Sequence, residues 1–331
     1  MENQFRVAVL GSGSWATAIV KLLQNNLDHM HWYIRNTETI DFIKKYHHNP
    51  RYLSSVEFDT KRITFHSSIN EIIEQANLLI FAIPSPFLRD ALAEYNGGFN
   101  NKIIVSAIKG ILPNLNLTVA EFFNKEYCVP FKNTCIISGP CHAEEIALER
   151  LSYLTIASSS KQMADEVASL FKCHYVNLNT SKDIYGIEYA AVLKNVMAIA
   201  SGICHGLGYG DNFQAVLISN ASQEIKRFLD KTYKSKRKVN SSAYLGDLLV
   251  TSYSQFSRNR AFGTMIGKGY SVKSAQLEMN MIAEGYFATS CLREINKNYN
   301  VKMPILDAVY HIIHDKISPA LEIKLLTEKL K

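Results

Sequence analysis

No two of the six cysteines form a C-x-x-C pair; Cys128, Cys135, Cys141, Cys173, Cys204 and Cys291 are scattered along 331 residues. That spacing offers neither a disulfide framework nor a structural zinc pattern, and it reads as free thiols in a reducing compartment. His311 and His314 are spaced to share a helix face, and His47 adjoins His48, but no further ligand pattern accompanies either pair, so no metal is expected. Long apolar runs are missing too. The most apolar stretch, Ile187 to Ile203, is broken by Glu188, Lys194 and Asn195 and reads as a buried helix, not a membrane span. The opening residues include Glu2 and Asn3 and lead straight into a strand pattern, so no secretory signal is read and a cytoplasmic location is expected. No internal repeat shows at periods of about 20 to 50 residues. Aromatic residues do not interleave with the densest basic run, Lys234-Ser-Lys236-Arg237-Lys238, which reads as a solvated loop between helices and not as a nucleic-acid surface. The net charge of +6 suits an anionic small substrate without demonstrating one.

The length and the composition, 47% apolar and 20% charged, allow two ordinary globular domains with ample cores. Within the first twenty residues stands Val7-Ala-Val-Leu-Gly11-Ser-Gly13-Ser14-Trp15-Ala16. A buried strand over 6–10 and a helix over 16–25 flank a G-x-G-x-x-A turn, the dinucleotide fingerprint in its Gly/Ala variant. Gly11 allows the tight turn, Gly13 lets the backbone approach a pyrophosphate, and Ala16 keeps the helix against the sheet. The N–H groups at the helix start, from Ser14 and Trp15 onward, face the phosphate charge.

Further strands are expected at 31–34, 63–65, 78–83, 102–107, 135–138, 154–157 and 175–178. Helical patterns lie between them near 37–46, 68–76, 85–95, 116–124, 142–149 and 161–171. This alternation predicts a doubly wound, largely parallel α/β sheet. From about Tyr185 the alternation stops, and helices are expected at 187–205, 212–230, 243–252, 259–267, 272–279, 284–298, 305–314 and 319–330. The division is therefore a dinucleotide-binding domain at 1–183 and an all-α domain at 184–331. The second strand ends in Arg35-Asn36, where an acidic residue would announce NAD. An arginine there accepts a 2′-phosphate or stacks on adenine, or it merely caps the strand, so NAD and NADP both remain open. Ala82-Ile-Pro84-Ser85-Pro86 ends the fourth strand in a stiff turn at the carboxyl strand ends, where the cofactor of an open sheet lies.

Several more segments stand out. They are Ser106-Ala-Ile-Lys109-Gly110, Ser138-Gly139-Pro140-Cys141-His-Ala143-Glu144, and Leu193-Lys194-Asn195-Val196 within an apolar helix. To these add Gly206-Leu-Gly-Tyr-Gly-Asp211-Asn212, Leu245-Gly246-Asp247 to Thr251, and Ser257-Arg258-Asn259-Arg260-Ala-Phe262-Gly263. Together, in order over residues 5 to 315, they resemble the bacterial-type NAD(P)-dependent glycerol-3-phosphate dehydrogenases. The resemblance implies a Rossmann-type N-terminal domain, a helical C-terminal domain and a homodimer. The implied activity is reduction of glycerone phosphate to sn-glycerol 3-phosphate with NADH or NADPH, supplying glycerophospholipid synthesis.

Such a reaction needs a positioned hydride donor, a proton donor for the forming alkoxide, and fixed charge for the phosphate. On the residues alone, Lys194 is either a proton donor whose pKa burial draws toward neutrality or a lysine snorkelling out of its helix. The resemblance makes it catalytic, oriented by Asp247 with Asn195 and Thr251 alongside; Asp247 and Thr251 are spaced i, i+4. It implies that Lys109, Gly139, Cys141, Ser257, Arg258 and Asn259 hold the substrate with Lys194 and Asp247. Backbone N–H groups at the helix start and the Arg258 guanidinium suit a phosphate dianion. Cofactor contacts are implied for Gly11, Gly13, Ser14, Trp15, Arg35, Lys109, Ala143, Arg258, Ile282 and Glu284. The chain departs from the family pattern at Ala16, at Cys141 in place of Thr or Ser, at Tyr244 in place of Gly, and at Ser219-Asn220-Ala221 in place of Thr-Arg-Gly. Rival readings are a 3-hydroxyacid or ketopantoate-type dehydrogenase, and a nucleotide-sensing protein that has lost the chemistry.

Overall fold

In the computed structural model, which describes residues 5–279 and 281–331, the chain divides into two units. Residues 1–4, part of the stretch read for a leader, lie outside the described residues. Unit 1 comprises residues up to Ile108 together with Val119–Ile184; unit 2 comprises Lys109–Thr118 and Tyr185–Lys331. The segment beginning at Lys109 therefore groups with the helical unit, which a linear division at 183/184 does not foresee.

Unit 1 is built on eight strands: β1 (Val7–Leu10), β2 (Met30–Tyr33), β3 (Ile63–His66), β4 (Leu78–Phe81), β5 (Ile103–Ser106), β6 (Thr134–Ser138), β7 (Ser152–Ala157) and β8 (Val176–Ser181). The order is β3-β2-β1-β4-β5-β6-β7-β8, parallel except where β6 meets β7. Each expected strand is present, within a few residues at its ends. The central strands β1 (VAVL) and β4 (LLIF) are buried at every position, as strands covered on both faces must be. The helices of this unit are α1 (Ser14–Leu23), α2 (Thr37–Tyr46), α3 (Ile69–Gln75), α4 (Ser85–Ala91), α5 (Val119–Tyr127), α6 (Ala143–Ala147) and α7 (Lys161–Ser169). Asn36, Ser68 and Ser160 cap α2, α3 and α7 by accepting backbone N–H groups. The chain leaves β1 toward β2 and β3, then returns to β4 on the other side of β1. This reversal is the switch point at which open sheets bind ligands.

Unit 2 is helical: α8 (Ile184–Gly206), α9 (Asp211–Thr232), α10 (Asp247–Tyr253), α11 (Arg258–Gly267), α12 (Val272–Glu278), α13 (Glu284–Lys297), α14 (Pro304–Ile313) and α15 (Pro319–Thr327). The helix expected over 243–252 is split, because Ser242–Gly246 form a wide π turn before α10. Such turns re-aim the residues that follow. α8 is long and apolar enough to cross a membrane, yet its most apolar 18-residue window is wholly buried inside the protein. It packs backbone to backbone against α11: a Cβ on Gly202 would lie 2.1 Å from the Arg260 carbonyl oxygen, and one on Gly263 2.1 Å from that of Ile199.

The start of α14 is closed from another helix. Glu224 of α9 is fully buried, and its two carboxylate oxygens accept the N–H groups of Ile305 and Leu306, each at 3.0 Å. Burial pushes this carboxyl up to about 7, against the pull of those two N–H groups and of Arg227. The folded state therefore takes up a proton that the unfolded chain, with an ordinary glutamate near ~4.3, has released. Stability from this group is greatest at low pH and declines as pH rises from about 4.5 through about 7. The stability advantage of the native chain over Glu224→Gln should thus shrink between pH 5 and pH 8 in thermal unfolding; a constant difference would refute the assignment.

Candidate functional site

In unit 2 the residues read as catalytic converge on one carboxylate. Asp247 opens α10 and is 1% exposed. Lys194, midway along α8 and 4% exposed, donates to Oδ1 of Asp247 and, at 2.9 Å, to Oγ1 of Thr251. Thr251 sits one helical turn beyond Asp247 and donates its hydroxyl proton to the Asp247 carbonyl at 2.7 Å, which aims a lone pair at the lysine. Lys109 reaches the other carboxylate oxygen, Oδ2, at 3.3 Å. Burial would push the Asp247 carboxyl up, but the ammonium groups of Lys109 and Lys194 outweigh it and hold the carboxyl below the usual aspartate range.

The sequence reading isolated Lys194 in an apolar helix; the structure supplies a carboxylate partner and shows a buried side chain, not one snorkelling outward. Asn195 lies next to Lys194 and is buried as well. Its Nδ2 donates to the Lys109 carbonyl at 2.7 Å, so it fixes the backbone that carries the second lysine.

The segment Ser257-Arg258-Asn259 forms the start of α11. Ser257 is buried and caps the helix, its hydroxyl accepting the Arg260 N–H at 3.3 Å. Asn259 is also buried, and its Oδ1 accepts the Gly285 N–H at 2.9 Å, tying α11 to the first turn of α13. Arg258 is exposed, with Nη1 3.7 Å from the Met281 sulfur. Of these three side chains, therefore, one is presented outward and two hold the scaffold. Glu284 is the first residue of α13, and Ile282 lines a mainly apolar cavity of about 170 Å³ with Phe262, Met279, Tyr286 and Phe287.

Unit 1 carries the fingerprint. Gly11 leaves β1 with φ +131°, and a Cβ there would lie 2.7 Å from the Ala82 carbonyl oxygen, so only glycine fits beside the turn that follows β4. A Cβ on Gly13 would meet nothing within 4 Å, and no side chain caps α1 at Gly13. An open approach to uncapped N–H groups is what a dinucleotide pyrophosphate requires, so these residues fit that cofactor. Ser14 is buried in the first turn, and the indole Nε1 of Trp15 is buried with no hydrogen-bond partner among the described residues. Arg35 is exposed just past β2 and forms no ion pair among the described residues.

Gly139, at the end of β6, has φ +114°, and a Cβ would lie 2.5 Å from the Tyr153 carbonyl oxygen. The Cys141 thiol is buried in the core of unit 1 and donates to the Gly139 carbonyl at 3.3 Å. Ala143 starts α6 with its side chain buried. Two residues of this turn region escaped the sequence reading. Trp32 of β2 donates from Nε1 to the Gly11 carbonyl at 2.7 Å, and Asn49 donates from Nδ2 to the Ser12 carbonyl at 3.2 Å. A buried tryptophan in a strand does signal an N–H in need of a partner, but nothing linear connects position 49 with position 12.

No group of three or more His, Cys, Asp or Glu side chains among the described residues is arranged to hold a metal ion. His311 bonds Glu322 at 2.9 Å, and His314 bonds the Tyr286 carbonyl at 3.2 Å. Two other departures from the family pattern take structural places: Tyr244 is buried within the π turn, and Asn220 bonds both backbone groups of Lys331.

Comparison with known proteins gives the site its family. The profiles for the NAD-dependent glycerol-3-phosphate dehydrogenase N-terminus and C-terminus match residues 6–164 and 183–324. The chain is 34% identical over 321 residues to the glycerol-3-phosphate dehydrogenase [NAD(P)+] of Bacillus subtilis, covering 96% of this chain and 93% of that one. It is 33% identical to the enzyme of the same name from Staphylococcus carnosus, covering 97% of each. The crystal structure of glycerol-3-phosphate dehydrogenase from Coxiella burnetii superposes with a TM-score of 0.89 at 25% identity, covering 97% of this chain and 98% of that one.

Asp247→Asn should lower thermal stability by about 3–5 kcal/mol at neutral pH, because it leaves two ammoniums facing one neutral amide. Thermal unfolding checks this, and an unchanged melting temperature would show that the carboxylate does not hold the cluster. With this cluster and these matches together, the chain belongs to the NAD-dependent glycerol-3-phosphate dehydrogenases.

Proposed function

We propose that this chain interconverts glycerone phosphate and sn-glycerol 3-phosphate as an NAD(P)-dependent oxidoreductase, with Lys194 moving the proton. The observation that carries the assignment of roles is the Lys194–Asp247–Thr251 contact set, in which one buried ammonium is oriented by a carboxylate and by a hydroxyl. Bound NAD(P)H supplies the hydride to the carbonyl carbon. The remaining work falls to the chain. The fingerprint turn of unit 1 holds the dinucleotide through Gly11, Gly13, Ser14 and Trp15, with Arg35 toward the adenosine ribose and Ala143, Ile282 and Glu284 as further contacts. In unit 2 the start of α11 and Arg258 take the phosphate, and Lys109 adds charge. Lys194 gives a proton from Nζ to the carbonyl oxygen as it becomes an alkoxide, so carbonyl, hydride and proton yield the alcohol. Asp247 and Thr251 orient that Nζ; Asn195, Ser257 and Asn259 keep its neighbours in place. Gly139 keeps backbone contact with the substrate in this reading. Cys141 does not: its thiol is turned back to the Gly139 carbonyl.

The direction supported by the family is reduction, supplying the glycerol phosphate of glycerophospholipids in the cytoplasm, by a homodimer whose size sedimentation would test. The carboxylate-substrate dehydrogenases lack a reason for the phosphate-suited start of α11. A sensing protein without chemistry lacks a reason to set two lysines, one of them buried, on one carboxylate.

Purified protein should consume NADH or NADPH only when glycerone phosphate is added, followed by absorbance of the reduced nicotinamide; no turnover with either cofactor would sink the reading. Lys194→Ala should then lower kcat by about 10²–10⁴-fold while leaving NADH affinity in place, and near-normal turnover would remove Lys194 from the mechanism. Arg258→Gln should chiefly raise KM for glycerone phosphate, and a change in KM for NADH alone would reassign it.

A further inference from the structure

We propose that Trp32 and Asn49 are the residues that aim the pyrophosphate-binding N–H groups of the fingerprint turn. The inference rests on the dinucleotide assignment made above and concerns two consecutive peptide planes. Trp32 is fully buried, and its indole Nε1 holds the Gly11 carbonyl at 2.7 Å. Asn49 is 1% exposed, and its Nδ2 holds the Ser12 carbonyl at 3.2 Å. The chain contains no cis peptide among the described residues, so a carbonyl and the next N–H point in opposite directions across each bond. With the Gly11 carbonyl turned toward buried Trp32, the Ser12 N–H is turned away from it. With the Ser12 carbonyl turned toward buried Asn49, the Gly13 N–H is likewise directed outward, on the turn where a Cβ would meet only open space. Successive N–H groups presented this way form an anion-binding concavity.

The two anchors come from separate elements. Trp32 is wedged in β2 between Phe58 and Phe65, with ring centroids 5.2 and 5.9 Å away. Asn49 lies in the loop after α2 and uses its whole amide. Nδ2 also donates to Thr17 Oγ1 at 3.0 Å, and Oδ1 accepts the N–H groups of Arg51 and Tyr52 at 3.0 and 3.1 Å. Thr17 in turn donates its hydroxyl to the Gly13 carbonyl at 3.0 Å. Three consecutive carbonyls, of Gly11, Ser12 and Gly13, are therefore each held by a side chain. Glycines make this turn possible; these side chains choose one of its conformations.

Trp32→Phe keeps a ring in the strand while removing the indole donor and the volume of the second ring. Asn49→Asp keeps the acceptor for Arg51 and Tyr52, removes the donor to Ser12 and Thr17 and adds a carboxylate, so Asn49→Ala, which adds no charge, is measured beside it. Each should weaken NADH and ADP-ribose binding, measured by fluorescence titration, by about tenfold, the effect of losing one orienting hydrogen bond. KM for NADH should rise with it while kcat changes less than KM does, and adenosine, which has no pyrophosphate, should keep its native affinity. NADH affinity within about twofold of the native protein in the variants at both positions, or a parallel loss of adenosine, would overturn the inference. Trp32→Phe keeps the test decisive should Asn49→Asp not fold. A native protein that binds no NADH at all would overturn the dinucleotide assignment itself, a result distinct from either.

Discussion

A single buried carboxylate, Asp247, has to satisfy two lysines that stand 138 and 53 positions before it in the sequence, and much of unit 2 is arranged around that demand. A carboxylate without partners at this depth would be protonated or would unfold its surroundings; with Lys109 and Lys194 on its two oxygens it remains charged. The demand explains why Lys109–Thr118 groups with the helical unit. It also gives the Asn195 side chain a task, since its amide holds the Lys109 carbonyl. The π turn before α10 and the glycine contact between α8 and α11 set where the three helices stand when they meet.

The chemistry follows from this economy of polar groups. Thr251 both donates to the Asp247 carbonyl and accepts from Lys194, so the ammonium has one defined orientation. Ser257 and Asn259, which sit beside the exposed Arg258, are buried and bonded to backbone. A site in which one side chain is presented and its neighbours are committed to scaffold suits a small rigid anion. It follows the general rule that reacting groups are held by residues whose own positions are locked. Unit 1 obeys the same rule, with Trp32, Asn49 and Thr17 holding the carbonyls of the fingerprint turn.

Much of the fold was legible before any coordinates. The strands at 6–10, 78–83 and 135–138 are built on unbroken apolar runs at 7–10, 78–83 and 135–137, and a strand buried on both faces can be little else. The helix over 37–46 announces its own start, since Asn36 is a capping residue. The reading faltered where local pattern and tertiary demand part company, over 243–252, where helix periodicity conceals a π turn. Lys194, Asp247 and Arg258 could be nominated from their segments, but the meeting of Lys109 with Asp247 could not, because 138 positions separate them.

By itself the sequence determined the order of strands and helices, the phosphate-suited glycine turn and the family. Those follow from periodicity, from residue size and from motifs read within a few positions of one another. Only the tertiary structure decided which polar groups share a partner. It put two ammoniums on one carboxylate, assigned Asn195, Ser257 and Asn259 to backbone, and brought Trp32 and Asn49 to the fingerprint turn. Burial raises the energy of every unpaired donor and acceptor, and which group relieves which is settled by proximity in space, a quantity that the order of residues along a chain does not contain.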